Sequence, residues 1–110
     1  MEEDLCKMAL GFANEINKLE TNLRRMSPDT SGYRQLTYVV RSMKDVLTQY
    51  GFEMVDLYGT RYTDGMKAEA DFVPLDESGA EEKWTIVGVT RPQVNYNGKM
   101  IQSPHVTVAL

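Results

Sequence analysis

One glycine divides this chain into two kinds of pattern. Before Gly51, the apolar residues Tyr33, Leu36, Val40, Met43, Leu47 and Tyr50 fall at steps of three, four, three, four and three. That alternation holds one stripe on one face of an α-helix and averages the heptad repeat. Gly51 then supplies the residue best able to take the left-handed conformation that closes a helix. After it, Phe52-Glu53-Met54-Val55-Asp56-Leu57-Tyr58 is rich in strand formers. The expectation is helix up to Gly51 and sheet beyond it.

The first segment, from about Glu3 to Arg25, repeats the helical pattern with Leu5, Met8, Phe12, Ile16, Leu19, Leu23 and Met26. Acids at its front (Glu2, Glu3, Asp4) and bases at its back (Arg24, Arg25) suit the helix dipole. Ala9 and Ala13 beside the stripe would let another helix approach closely. Met26-Ser27-Pro28-Asp29-Thr30-Ser31-Gly32 is a break, with Asp29, Thr30 and Ser31 as candidate N-caps for the second helix, about Ser31 to Tyr50. So short a connection makes the two helices antiparallel neighbours. Val39 and Val46 widen the apolar face of the second helix. Two helices alone cannot cover faces that broad, so the sheet or a second copy of the hairpin must do so.

From Phe52 to Leu110 the chain reads as short strands with turn signals. Asp64-Gly65 marks one turn, Met66 to Val73 an edge strand, and Asp76 to Glu82 a solvated acidic loop. Trp84 to Thr90 is the strongest strand pattern. Asn97-Gly98, between Val94-Asn95-Tyr96 and Lys99-Met100-Ile101, has the residues a type I′ hairpin requires. His105 to Val108 closes the chain as a last strand. The fold class expected is α+β: an antiparallel helical hairpin over residues 1–50, then a small, mostly antiparallel β-domain over 51–110.

Composition narrows the function. A net charge of −4 over 110 residues argues against nucleic acid as the main partner, since phosphate binding needs a basic face. The acidic N-terminus is unlike a signal peptide, and no apolar run approaches the roughly 20 residues that span a bilayer. The single cysteine, Cys6, cannot form an internal disulfide, so a cytoplasmic, membrane-free protein is expected. Catalysis is not expected. The single histidine, His105, has no evident partner in sequence, and Cys6 sits among acids that oppose a thiolate. No zinc spacing, EF-hand acid pattern or phosphate-cradling glycine loop is present, and no cofactor is implied. Of the seven methionines, Met8, Met26 and Met43 fall on the helical stripes and read as core filler. Residues alone give a small, acidic, non-enzymatic interaction module that forms a homodimer.

The order of elements resembles the GrpE family, the nucleotide exchange factors of DnaK-type chaperones. Met43-Lys44-Asp45-Val46-Leu47-Thr48-Gln49-Tyr50-Gly51-Phe52-Glu53-Met54-Val55-Asp56 looks like the family's second bundle helix and the start of its β-domain. Gly59, Gly88, Tyr96-Asn97-Gly98-Lys99 and Val106-Thr107-Val108 match further along, and Phe12-Ala13-Asn14-Glu15-Ile16 looks like the end of the family's long helix. The long N-terminal arm has no counterpart, and Tyr62 to Glu69 departs from the family's motif. The resemblance implies a homodimer whose two hairpins form a four-helix bundle, with Leu19, Leu36, Val40, Met43 and Leu47 in its core. It also implies a β-domain that binds the nucleotide-binding domain of a DnaK-type chaperone and promotes ADP release. Tyr62, Asp64, Thr90, Lys99 and Val108 are the contact residues it implies. The alternative is a dimeric adaptor of the same fold without exchange activity.

Overall fold

A computed structural model describes residues 2–110. It is α+β, with the helices first and small sheets after them. Helix α1 spans Glu2–Arg24 and α2 spans Tyr33–Gln49. The strands are β1 (Phe52–Met54), β2 (Glu69–Val73), β3 (Ile86–Arg91), β4 (Val94–Tyr96), β5 (Lys99–Gln102) and β6 (His105–Ala109), with a four-residue α3 (Leu75–Ser78) after β2.

The helix bounds follow local chemistry. Three acids lie in the first turn of α1 and Arg24 in its last. The residue capping α2 is Gly32 at φ 87°, with no side-chain cap, in place of the expected Asp29, Thr30 or Ser31. Those residues are used within the loop itself: Thr30 O accepts from Tyr33 N–H at 3.0 Å, and Ser27 Oγ accepts from Asp29 N–H at 3.2 Å. At the other end, the Tyr50 and Gly51 N–H groups donate to Leu47 and Thr48 carbonyls, and Gly51 takes φ 89°.

The strands form two three-stranded sheets, ordered β1-β4-β5 and β2-β6-β3. The first is antiparallel throughout and contains the Asn97-Gly98 hairpin, with both turn residues at positive φ. In the second, β3 pairs antiparallel with β6, but β2 pairs parallel with it, Glu69 opposite His105 and Val73 opposite Ala109. A parallel pair needs a crossover, and the chain from α3 through β5 provides it. The strongest strand starts at Ile86, two residues later than its pattern predicts. Trp84 sits at φ 72° and cannot extend the strand. Alternation along β6 follows expectation: Val106 and Val108 are buried, while His105 and Thr107 are half-buried on the other face.

The core has three parts, two of which share residues. Ile16 and Leu23 of α1 meet Val40 of α2, with Leu19, Met26, Tyr33, Met43 and Leu47 around them. Ala9 and Ala13, expected from their size to admit another helix, meet Phe52 and Val94 of the first sheet instead, with Leu47 of α2 at the border. Small side chains let α1 lie close over that sheet. Phe52 is fully buried and stacks on Tyr96 at 4.4 Å, worth about 2–4 kcal/mol in burial and ring contact. Ile86, Val89, Val106 and Val108 form the core of the second sheet, capped by Leu57, Tyr62, Met66, Ala70 and Trp84. The hairpin and the first sheet thus share a core through Leu47 and Met54. Asn17 fixes α1 to the second sheet: its Nδ2 donates to the Val89 carbonyl at 2.8 Å, and it is 3% exposed.

The molecule is flat. Its principal-axis extents are 47 × 40 × 16 Å and its radius of gyration is 14.8 Å, against about 13 Å for a compact chain of this length. Its accessible surface, 7458 Å², exceeds by roughly 1,300 Å² that of a typical monomer of this mass.

Candidate protein-interaction surfaces

The apolar stripes are not consumed by the fold. Each residue advances an α-helix by about 100°. Measured from Ile16, which faces α2, residues Met8, Phe12 and Leu19 lie on one flank of α1. Glu20 and Arg24 lie on the other. On α2, measured from Val40, residues Leu36, Val39, Met43, Val46 and Tyr50 lie on one flank, and Lys44 lies on the other. Lys44 Nζ reaches Glu20 Oε2 at 2.9 Å, which puts those polar flanks on the same side of the hairpin. The apolar flanks therefore share the opposite side.

That shared side is open. Met8 and Phe12 are 55% and 59% exposed, Val39 and Val46 49% and 52%, and Leu36 and Tyr50 are exposed as well. Met8 and Phe12 belong to the stripe expected to be core, so α1 carries two apolar faces where the sequence suggested one. The residues expected in a bundle core divide accordingly. Val40 is 3% exposed and already packed within the chain; Leu19, Met43 and Leu47 are half-buried; Leu36 faces outward. Val39 and Val46, noted only as widening the stripe, are the more outward-facing pair. Their three-and-four spacing with Leu36, Met43 and Tyr50 was the signal for a second stripe.

The five residues expected to contact a chaperone lie on four elements. Lys99 is exposed at the start of β5, in the first sheet. Thr90 is exposed on β3, beside the Asn17 anchor. Asp64 is exposed in the turn after Tyr62, which is half-buried. Val108 requires correction: it is 0% exposed at the centre of the second sheet and has no surface to offer a partner. The alternation that buries Val106 buries Val108 with it. No hydrogen bond or ion pair links these five side chains among the described residues.

Around Tyr62, three aromatic rings gather that sequence separation hid. Tyr62 and Trp84 lie nearly parallel at 6.3 Å, and Phe72 meets each edge-on at 6.2 and 6.3 Å. Phe72 is 48% exposed, and a shallow cleft runs past Arg61, Tyr62, Asp64 and Trp84. The positive φ of Trp84 is held by two backbone bonds, from Trp84 N–H to Ala109 O and from Tyr62 N–H to Trp84 O. A bulky residue in that conformation is strained, and exposed aromatic groups are common interface anchors.

The histidine has partners after all. The parallel register of β2 and β6 brings Asp71 Oδ2 to 2.8 Å from His105 Nε2, and Glu69 Oε2 to 3.6 Å from Nδ1. Arg91 Nη2 completes the row at 3.4 Å from Glu69 Oε1. Nothing in the sequence announced that pairing, because it depends on a non-local strand partner. Among the described residues no group of three or more His, Cys, Asp and Glu is arranged to hold a metal ion, and no helix is long and apolar enough to cross a membrane.

No family model matches the chain, and no curated protein matches it.

Proposed function

We propose that the chain is a dimeric, GrpE-like co-chaperone that promotes ADP release from a DnaK-type chaperone. The observation that carries this reading is the open apolar side of the hairpin, from Met8 and Phe12 to Val39 and Val46, on a flat molecule with excess surface. A second copy laid on that side completes a four-helix bundle. The roughly 1,300 Å² of excess surface is of the order one partner gives up in a stable interface, about 800 Å² or more. The bundle then holds two β-domains outward, each rigidly tied to its hairpin through Asn17, Phe52 and Gly51. The aromatic face around Tyr62 and Trp84, with Asp64 beside it, is the partner-binding surface, and Lys99 on the other sheet is a further contact.

The chemistry required is differential binding. An exchange factor opens a nucleotide cleft only by binding the open form of the nucleotide-binding domain more tightly than the closed one. A rigid β-domain serves this well, because a compliant one would follow the closed form.

The test is release of a fluorescent ADP analogue from the DnaK-type chaperone of the same cell. Acceleration by the wild-type chain is expected. No acceleration at saturating protein would overturn the exchange reading. The second reading, a dimeric adaptor of the same fold without exchange activity, is favoured by one observation. Of the five expected contact residues, Val108 is buried, and Asp64 and Thr90 are polar.

A further inference from the structure

The side of the hairpin opposite the apolar face carries a different kind of surface. Arg34, Tyr38 and Arg41 follow the i, i+4, i+7 spacing along α2, on the flank turned away from Val39 and Val46. Together with Pro28, Tyr33 and Thr37 they line a cleft of about 350 Å³. Among the described residues, the only charged groups lining it are the two arginines. Both are exposed, and among the described residues neither has a carboxylate within ion-pairing distance. Lys44 and Arg24 nearby are already engaged, one with Glu20 and the other over the Tyr58 ring at 4.2 Å. The hydroxyl oxygen of Thr37 is buried without a hydrogen-bond partner. In a chain of net charge −4, a cleft with this cationic lining runs against the overall balance; the acids Glu20, Asp45 and Asp56 line the adjoining cleft, which shares Tyr33, Thr37 and Arg41 with it.

We propose that this cleft docks an extended acidic segment of a partner protein, with two carboxylates three residues apart. The spacing carries the choice. Seven residues of helix place Arg34 and Arg41 about 10.5 Å apart along the axis. Three residues of a polyproline II chain advance about 9 Å and return to the same edge, so acids at positions one and four meet one guanidinium each. Each guanidinium takes a carboxylate with two parallel N–H donors. The Tyr38 ring, 70% exposed, lies between them to cover an apolar residue of the segment. A single phosphate would leave one arginine unused, and two arginines on an acidic protein are too few for a nucleic-acid backbone. The cleft stays open when the apolar side is covered, and it serves either reading of the β-domain.

The experiment measures binding of the full chain to short labelled peptides that carry two glutamates at every short spacing around a leucine. The glutamate pair three residues apart should bind best, and more weakly as salt rises. Arg34→Glu with Arg41→Glu should lower that affinity by about tenfold or more, and Arg34→Lys with Arg41→Lys by a few-fold. Both positions are exposed, so circular dichroism should be unchanged. Equal binding of every peptide to wild type and the double glutamate variant, or no binding to either, would overturn the proposal. Tighter binding of a peptide with one phosphoserine, or of duplex DNA, would overturn it in favour of another partner class.

Discussion

The backbone N–H of Asn97 donates to the carbonyl of Gly51 at 2.9 Å, and a Cβ on Gly51 would run into the Asn97 side chain. The residue that ends α2 and the tip of the β4–β5 hairpin are thus one joint. Gly51 is doubly required, by its φ of 89° and by that close approach.

Gly51→Ala should therefore cost about 3 kcal/mol, more than the roughly 1–2 kcal/mol of the left-handed backbone alone. Urea unfolding followed by circular dichroism measures it. In an Asn97→Gly background, which keeps the positive-φ turn, the cost should shrink to the backbone part.

The hairpin substitutions should separate by which side of the helix they strike. Val40→Glu buries an unpaired charge between α1 and α2 and should cost about 4 kcal/mol or more, leaving the chain largely unfolded. Leu36→Glu, on the open side, should leave a folded monomer. Circular dichroism and light scattering on the two variants distinguish these outcomes.

Asn17→Ala should destabilise by about 1–3 kcal/mol, because the Val89 carbonyl loses its donor in a buried site. Asn17→Asp should do no better, since a carboxylate facing a carbonyl supplies no hydrogen. Thermal unfolding of both variants provides the check.

The Glu20–Lys44 pair is about three-quarters buried and joins two helices. Glu20→Lys alone should cost about 1–2 kcal/mol by placing like charges together. Glu20→Lys with Lys44→Glu should recover most of it, which a double-mutant cycle would read directly.

What could be read in the residues was local. The stop at Gly51, the Asn97-Gly98 hairpin and the burial of Val106 each depend on a few neighbouring residues and a fixed period. The parallel pairing of Glu69–Val73 with His105–Ala109 was hidden because strand partners are chosen by packing across the whole chain. His105 therefore gained Asp71 and Glu69 unannounced, and Tyr62, Phe72 and Trp84 met from three separated segments. Ala9 and Ala13 signalled a close approach correctly but not what approaches. The acidic loop expected after Pro74 contains a short helix, α3, closed by Gly79 at φ 80°. The two faces of α1 were merged into one stripe because Met8 and Phe12 lie within a turn of the buried Ala9 and Ala13.

Sedimentation equilibrium of the wild-type chain, beside Val39→Glu with Val46→Glu, tests the open face most directly. At about 100 μM, well above a micromolar Kd, the wild type should show twice the chain mass of 12.5 kDa. The double variant should show that single mass with unchanged helix content. A wild-type monomer at that concentration, or a double variant that remains dimeric, would contradict it.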